Sequence, residues 1–271
     1  ATDSAGNTAT QTITITVTDQ TKPVLTAPGN ITVSATNNSG TAKTNTAIQA
    51  FLANATATDN VDTQVTISND APATLPIGTT TVTFTATDAA GNTTTAQATV
   101  TIADENAPTL TAPASITVAA TDTNGTAQTN TIIQAFLNGA TATDNVTSEL
   151  TITNNAAVVF PLGVTTVTFS VSDGQNTTTA QATVTVTDQG QPTITAQGGE
   201  VAATDGTGVA TTAQAVQAII NAVQATDAID GVLDVSNNAP DTLSLGANAI
   251  KLTATDSAGN TATQTITITV T

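Results

Sequence analysis

One phrase recurs three times along this chain at almost constant spacing, and this repetition limits the fold more than any other feature of the sequence. The phrase surrounds Pro23, Pro108 and Pro192, which lie 85 and 84 residues apart. A second marker, "ATDNVD", "ATDNVT" or "ATDAID", recurs with the same period. A repeat of this length indicates one structural unit built several times in series. The predicted domains are residues 19–103, 104–187 and 188–271.

The first eighteen residues, "ATDSAGNTATQTITITVT", return letter for letter as residues 254–271. They match the end of the third repeat and only part of the other two. We therefore expect residues 1–18 to be the C-terminal strand of a preceding repeat, in a chain that is a window on a longer array. The alternative is a donated strand that completes a domain in another chain.

Strict alternation of apolar and polar residues predicts the strands. In "TVTFTATD", Val82 and Phe84 point one way and the threonines the other, and "TITITV" places Ile13, Ile15 and Val17 in the same way. A period of two is typical of a sheet with one dry and one solvated face. Threonine, about a quarter of the chain, suits such strands. With turn signals about every ten residues, the pattern predicts an all-β fold of tandem immunoglobulin-like β-sandwich domains.

One segment of each repeat has helical spacing instead. "TNTAIQAFLANATA" places Ile48, Phe51 and Leu52 on one face. This predicts a short helix, capped by Thr or Asn, inserted between the second and third strands and covering one end of the sandwich. A helix-in-groove binding motif is the alternative. Because the apolar face recurs in every repeat, core packing is the favoured interpretation.

The repeated phrases together resemble a known family. The consensus "P-x-(I/L)-T-A-P-x-x-I-T-V … A-T-A-T-D-N-V-D … P-x-G-x-T-T-V-T-x-x-A-T-D-x-A-G-N" is similar to the HYR-like and bacterial immunoglobulin-like tandem repeats of giant extracellular adhesins. The likeness covers all three repeats and the opening segment, but the cysteine pair of animal HYR modules is missing and the helical insert is additional. The resemblance implies an extracellular or cell-surface extender whose modules often bind calcium at or near domain junctions.

The charge balance excludes several functions. The chain has 3 Lys and Arg against 20 Asp and Glu, a net charge of -17. This disfavours nucleic-acid binding, which needs clustered basic residues, and makes multivalent cations the natural partners. Cys and His are absent, so no thiolate or imidazole site can form. Paired carboxylates could suggest a glycosidase, but they repeat in every unit and no Trp or Tyr is present to bind a sugar. We therefore expect no enzymatic activity.

The acidic residues recur at three positions in each repeat. In an immunoglobulin-like sandwich, the last hairpin turn lies at the end where the chain enters, so the linker acid and the turn acid of one repeat should lie close together. Oxygen ligands gathered there suit Ca²⁺, although Asp is also a common turn residue. The mid-repeat acids could line the opposite end or only shape a turn. The candidate metal ligands are the linker acids Asp19, Asp104 and Asp188, the turn acids Asp88, Asp173 and Asp256, and the mid-repeat acids Asp59, Asp144 and Asp227.

These observations predict a mechanical function. We expect a calcium-stiffened rod of immunoglobulin-like repeats, on the order of 100 Å long at about 3.3 Å per strand residue, that extends a bacterial surface adhesin, for example in a biofilm. The expected partners are neighbouring repeats of the same chain, with lateral or end-to-end self-association possible at strand edges. A subunit of an extracellular filament or sheath, assembled by strand pairing between chains, is the alternative. A ligand-binding module is a third, for which only the divergent third repeat offers distinctive acids.

Overall fold

The structure, a computed structural model, describes all 271 residues. Its backbone forms two compact units. Unit one contains Ala1–Pro108 together with two loops of the second repeat, Thr143–Leu150 and Ser172–Thr177. Unit two contains the rest of the second repeat and the whole of the third. These units do not test the predicted division into three domains, which stays a prediction.

The first repeat forms eight strands and one helix, all in unit one. In chain order they are β1 (Val24–Thr26), β2 (Ile31–Ser34), β3 (Thr41–Ala42), α1 (Thr46–Ala53), β4 (Thr56–Thr58), β5 (Thr66–Asn69), β6 (Thr74–Leu75), β7 (Gly78–Thr87) and β8 (Thr93–Ala103).

The same order of strands and helix returns twice. The second repeat forms β9 (Thr109–Thr111), β10 (Ile116–Ala119), β11 (Thr126–Ala127), α2 (Thr131–Leu137), β12 (Thr141–Thr143), β13 (Ile152–Asn154), β14 (Val159–Phe160), β15 (Gly163–Ser172) and β16 (Thr177–Thr187). The third repeat, which has one strand more, forms β17 (Thr193–Thr195), β18 (Gly199–Val201), β19 (Val209–Ala210), α3 (Gln214–Asn221), β20 (Gln224–Asp227), β21 (Gly231–Leu233), β22 (Val235–Asn237), β23 (Thr242–Leu243), β24 (Gly246–Thr255) and β25 (Thr261–Val270).

The main sheet of unit one has the strand order β2-β8-β7-β5, in which β2 runs parallel to β8 and the other neighbours are antiparallel. Two short pairs, β1-β4 and β3-β6, form the second layer, and β1 packs against β7 and β8. The predicted alternation is confirmed, because Val82 and Phe84 are fully buried between the layers while the intervening threonines are not. Phe84 packs edge to face on Phe51 of the helix, with 5.7 Å between ring centres.

Unit two repeats this sheet twice, as β10-β16-β15-β13 and β18-β25-β24-β22. Each sheet buries its own apolar cluster, around Phe169 in the second repeat and around Leu252 and Ile268 in the third. The short pairs β9-β12, β11-β14 and β19-β23, and the three-stranded group β17-β20-β21, complete the strands. The prediction of an all-β chain of sandwich-type repeats, each with a short helix, is therefore confirmed.

The helices occur where the apolar spacing predicts them. Asn45 and Asn130 accept hydrogen bonds from the first backbone N–H groups of α1 and α2, as expected for N-caps. Ala213 stands at this position in α3 and makes no side-chain cap. Each helix follows the third strand, not the second as predicted. The additional strand, Thr41–Ala42 in the first repeat, was not predicted because two residues are too few to show a period of two. None of the helices is long and apolar enough to cross a membrane.

The first copy of the duplicated segment is not a strand. Its turn forms, with an isolated bridge between Thr2 and Thr8, but residues 9–23 have no regular structure. Ile13, Ile15 and Val17 are 75%, 79% and 92% exposed. The strand that the alternation in "TITITV" predicts does not form in this copy, where no neighbouring strand pairs with it, and the assignment of residues 1–18 to a preceding repeat stays a prediction.

Candidate metal centres

The last hairpin turn of each repeat fixes one carboxylate. In the first repeat, Asp88 accepts a hydrogen bond from the backbone of Asn92 through Oδ1 at 2.7 Å and one from its side chain through Oδ2 at 2.8 Å. Gly91 closes the turn with φ of 91°, a conformation that favours glycine. Asn92 Nδ2 also lies 3.3 Å from the carbonyl oxygen of Asp19, so one side chain joins the turn to the linker.

The other two turns follow the same design. Asp256 accepts from the backbone and the side chain of Asn260, both at 2.7 Å, and Asn260 Nδ2 lies 3.4 Å from the carbonyl oxygen of Asp188. Asp173 accepts from the backbone of Asn176 at 2.6 Å, and the side chain of Asn176 donates to a linker carbonyl as well. The turn acid therefore lies beside the linker in each repeat.

The mid-repeat acid is held by its own loop. Asp59 Oδ2 accepts hydrogen bonds from the backbone N–H groups of Val61 and Asp62, at 2.8 and 3.1 Å. Asp144 and Asp227 accept the equivalent pairs through Oδ1. One carboxylate oxygen of each residue therefore shapes the loop, and the other is left for a different partner.

These loops bring three carboxylates together in each repeat. Within every group, one oxygen from each residue lies within 4.8 Å of the others. The groups are Asp19, Asp59 and Asp88; Asp104, Asp144 and Asp173; and Asp188, Asp227 and Asp230. We call them the first, second and third acidic clusters.

The clusters refine the expectations from the sequence. Linker and turn acids lie together in the first two clusters, and the mid-repeat acids, whose place the sequence left open, join them at the same end. In the third cluster Asp230 takes the place predicted for Asp256. The signal for Asp230 was its position three residues after Asp227. The equivalent Asp62 of the first repeat lies outside the cluster, although both acids accept the N–H of the residue after the turn acid, from Ala89 at 2.8 Å and from Ser257 at 2.7 Å.

Several carboxylate oxygens in the clusters are buried without a donor. They are Asp19 Oδ2, Asp59 Oδ1, Asp144 Oδ2 and Asp188 Oδ2. A buried acceptor that lacks a proton donor is unfavourable, and the cost rises when the group is charged. Every cluster contains at least one such atom, and the chain has only three basic residues with which to neutralise them.

The surroundings move the pKa values of the cluster acids in opposite directions. Burial raises the pKa of Asp104, which is 7% exposed, and the charges of Asp144 and Asp173 raise it further. Burial also works to raise the pKa of Asp88, but the hydrogen bonds from Asn92 outweigh it and hold that pKa below its ordinary value. Asp88 is thus kept ionised by its turn, while ionised Asp104 lacks comparable stabilisation.

The donor set fits a hard divalent cation. All candidate ligands are carboxylate oxygens, the type that Ca²⁺ prefers, and two oxygens about 2.4 Å from one ion are at most about 4.8 Å apart. The clusters meet this limit. The donor-free oxygens are the atoms that such an ion would satisfy.

The second cluster adjoins the end of the first repeat, inside unit one. Asn145, next to Asp144, donates through Nδ2 to the carbonyl oxygen of Ala35 at 3.0 Å. Val146 packs against the apolar core of the first repeat, and Ala35 is only 2% exposed. Ser34 donates a hydrogen bond to the carboxylate of Glu105, which thereby braces the linker.

The solved structures to which this chain is similar include the extracellular parts of cadherins. Mouse cadherin-23 EC22-24 is 14% identical, with coverage of 92% of this chain and 99% of that chain and a TM-score of 0.34. Human protocadherin-24 EC1-2 is 17% identical, with coverage of 62% and 100% and a TM-score of 0.34. Drosophila N-cadherin EC1-4 is 12% identical, with coverage of 92% and 75% and a TM-score of 0.33. No curated protein has a detectably similar sequence.

The sequence of the first repeat matches a family model. Residues 18–102 match the HYR domain, a span that begins at the linker and ends within β8. The span contains all three acids of the first cluster, and the later repeats follow the same markers at 85 and 84 residues. The resemblance drawn from the sequence is thereby confirmed for the first repeat, where residues 18–102 match the HYR domain.

Proposed function

We propose that this chain is an extender segment of a bacterial cell-surface adhesin, in which each acidic cluster binds one Ca²⁺ and stiffens the linker beside it. One observation carries the proposal: each of the three repeats gathers three carboxylates around its linker acid, each time with a buried oxygen that has no hydrogen-bond donor. The HYR match at residues 18–102 supports an extracellular location, where Ca²⁺ is available at millimolar concentration.

The origin of the ligands explains why binding would act mechanically. Asp19 belongs to the linker, Asp59 to the mid-repeat loop and Asp88 to the hairpin turn. Bound Ca²⁺ supplies the positive charge that offsets the repulsion among these carboxylates. Each of the three carboxylates is already held within its own segment by a backbone hydrogen bond, including that from Thr21 N–H to Asp19 Oδ1 at 2.9 Å, so one ion that bridges them would restrain the linker against the loop and the turn.

The sequence and the clusters support a non-enzymatic function. The carboxylates are not placed singly in a cleft but recur in each repeat, and the chain has no His or Cys for acid–base or nucleophilic chemistry. The natural partners under this proposal are neighbouring repeats of the same type.

Scattering and thermal unfolding with and without Ca²⁺ test the proposal. We expect Ca²⁺ to raise the melting temperature and to give an extended particle with less variation in its maximum dimension, and EDTA to reverse both effects. Asp59→Asn removes one charge from the first cluster and should reduce the thermal shift. Asp122→Asn is the matched control, because Asp122 only caps its own turn through Oδ1 and lies in no cluster. Equal melting temperatures and scattering curves in Ca²⁺ and in EDTA would contradict the proposal.

A second candidate function is a subunit of an extracellular filament. The edge strands of the main sheets favour it, since β2 and β5 of the first repeat each have a single neighbour in their sheet and leave one edge for a strand of another chain. Electron microscopy of the concentrated chain tests this candidate, which requires regular polymers. A chain that stays monomeric at all concentrations rules it out.

A further inference from the structure

Two ligands of the second acidic cluster are neighbours in sequence of residues that contact the first repeat. Asp104 precedes Glu105, and Glu105 accepts a hydrogen bond from Ser34. Asp144 precedes Asn145, whose side chain donates to the first repeat. We propose that the end of the first repeat positions both carboxylates, so that docking on this repeat strengthens Ca²⁺ binding at the second cluster. This inference rests on the calcium sites proposed above and names what regulates the affinity of one of them.

The mid-repeat loop connects its ligand to the first repeat through two adjacent residues. Asn145 Nδ2 donates to the carbonyl oxygen of Ala35 at 3.0 Å, and Val146 packs against the apolar core of the first repeat. The backbone N–H of Val146 also donates to Asp144 Oδ1 at 2.8 Å, while Asp144 Oδ2 is buried without a donor. A movement of the docked loop would therefore move the ligand as well.

The linker ligand Asp104 is held at the same end of the first repeat. Ser34, the last residue of β2, donates through Oγ to the carboxylate of Glu105. Ala35 donates through its backbone N–H to the carbonyl oxygen of Ala103 at 2.7 Å. Ala103 and Glu105 are the two neighbours of Asp104, so the first repeat restrains the backbone on both sides of this ligand.

The third cluster lacks the side chains that make these contacts. The replacements are Ala119 for Ser34, Gln189 for Glu105 and Ala228 for Asn145. Gln189 donates to Thr187 at 3.0 Å, and the apolar cluster of the second repeat includes no residue of the third. What the two linkers share is the backbone bond to the residue before the linker acid, here from Ala120 to Thr187 at 2.8 Å. The expected coupling is therefore specific to the second cluster.

Calcium affinity would depend on docking because the docked arrangement gathers the ligands. Without Ca²⁺, repulsion among the three carboxylates drives the loop and the linker apart, and the contacts with the first repeat oppose this movement. An ion that binds the gathered arrangement better shifts the equilibrium toward it. Each contact that is removed should therefore lower the affinity of the second cluster and leave the third unchanged.

Calcium titration of the full chain, followed by NMR, tests the proposal site by site. The backbone amides of Val61, Val146 and Ile229 each donate to the mid-repeat acid of one cluster. Their chemical shifts therefore report the first, second and third clusters separately.

Two substitutions outside the ligand set remove the contacts singly. We expect Ser34→Ala and Asn145→Ala each to weaken Ca²⁺ binding at the second cluster about two- to tenfold, the range expected for one hydrogen bond. The first and third clusters should keep their affinities. Ser39→Ala is the matched control, because Ser39 lies in an exposed turn of the same repeat and contacts only its neighbour Asn38 through its hydroxyl group.

Hydrogen exchange measures the same coupling from the side of the first repeat. Coupling between two equilibria is reciprocal, so Ca²⁺ should stabilise the docked loop by the factor by which docking strengthens Ca²⁺ binding. We expect Ca²⁺ to slow exchange of the Ala35 amide in the unaltered chain and to slow it less in Asn145→Ala. If Asn145→Ala changed this exchange rate by the same factor with and without Ca²⁺, its role would be structural alone and the inference would be overturned.

The titration separates failure of this inference from failure of the proposed function. Three clusters that bind Ca²⁺, with equal affinity of the second cluster in the unaltered chain, Ser34→Ala and Asn145→Ala, would overturn the coupling and leave the calcium sites standing. Absence of Ca²⁺ binding at every cluster would overturn both.

Discussion

Residues 1–18 and residues 254–271 have the same sequence but only partly the same structure. The turn forms in both copies. Asp3 accepts a hydrogen bond from the side chain of Asn7 at 2.9 Å, and Asp256 accepts the equivalent bond from Asn260 at 2.7 Å. The following residues form β25 in the second copy and no regular structure in the first. The turn is thus encoded locally, whereas the strand requires β18 and β24 on either side of it.

The largest expected effect is the difference in stability loss between equivalent substitutions in the buried and the exposed copy. Ile268→Asp places a charge in the fully buried core of the third repeat and should lower its free energy of unfolding by about 4 kcal/mol or more in dilute solution. Ile15→Asp makes the same change in the exposed copy and should alter stability by less than about 0.5 kcal/mol. Urea unfolding followed by circular dichroism measures both. Similar losses for the two variants would show that the first copy is also packed.

A smaller effect should separate the two turns. Asn260→Ala removes the hydrogen bond to the Asp256 carboxylate and the contact with the linker carbonyl of Asp188. We expect a loss of about 2 kcal/mol in the third repeat, since hydrogen bonds to charged groups contribute about 1.5–3 kcal/mol. Asn7→Ala breaks the same bond at Asp3, which supports no sheet, and should leave the unfolding curve unchanged. A destabilising Asn7→Ala would contradict the local character of that turn.

The smallest expected effect concerns the pKa values of the two turn acids and the dependence of stability on pH. The pKa of Asp3 lies below 3.8 chiefly because the Asn7 side chain donates to it, and the hydrogen bonds from Asn260 outweigh burial to lower the pKa of Asp256 as well. A lowered carboxyl pKa stabilises the folded state above the unfolded value, and this stabilisation is lost as the pH falls through the folded value. Carboxyl titration by NMR should find both groups below 3.8.

Acid unfolding of two variants tests whether each turn stabilises the repeat to which it belongs. Only Asp256→Asn should weaken the acid dependence of unfolding, because the turn of Asp3 is attached to no sheet. If Asp3→Asn changed the acid unfolding curve equally, the two copies would have to be coupled to folded structure in the same way.

The sequence predicted those features that depend on local pattern. Alternation placed Val82 and Phe84 in the core, and helical spacing located α1 around Ile48 and Phe51. The sequence pattern could not predict the strand Thr41–Ala42, because two residues are too few to show alternation of apolar and polar side chains.

The acidic clusters were predictable only in part. Topology brought Asp19 near Asp88, but the position of Asp59 depends on how its loop folds back through hydrogen bonds from Val61 and Asp62. In the third cluster Asp230, which accepts two hydrogen bonds from Ser257, stands where Asp256 was predicted. The spacing from Asp227 marks Asp230 as a candidate, but the same spacing in the first repeat leads to Asp62, which lies outside its cluster, so spacing alone does not decide which acid joins.

The most direct test of the account is calorimetric titration of the metal-free chain with Ca²⁺. The account predicts three ions per chain, one for each acidic cluster, with dissociation constants on the order of 0.1–1 mM or tighter. Asp59→Asn should weaken one site and leave the other two unchanged. Absence of Ca²⁺ uptake at millimolar concentration, or uptake that Asp59→Asn and the control Asp122→Asn affect equally, would contradict the central claim.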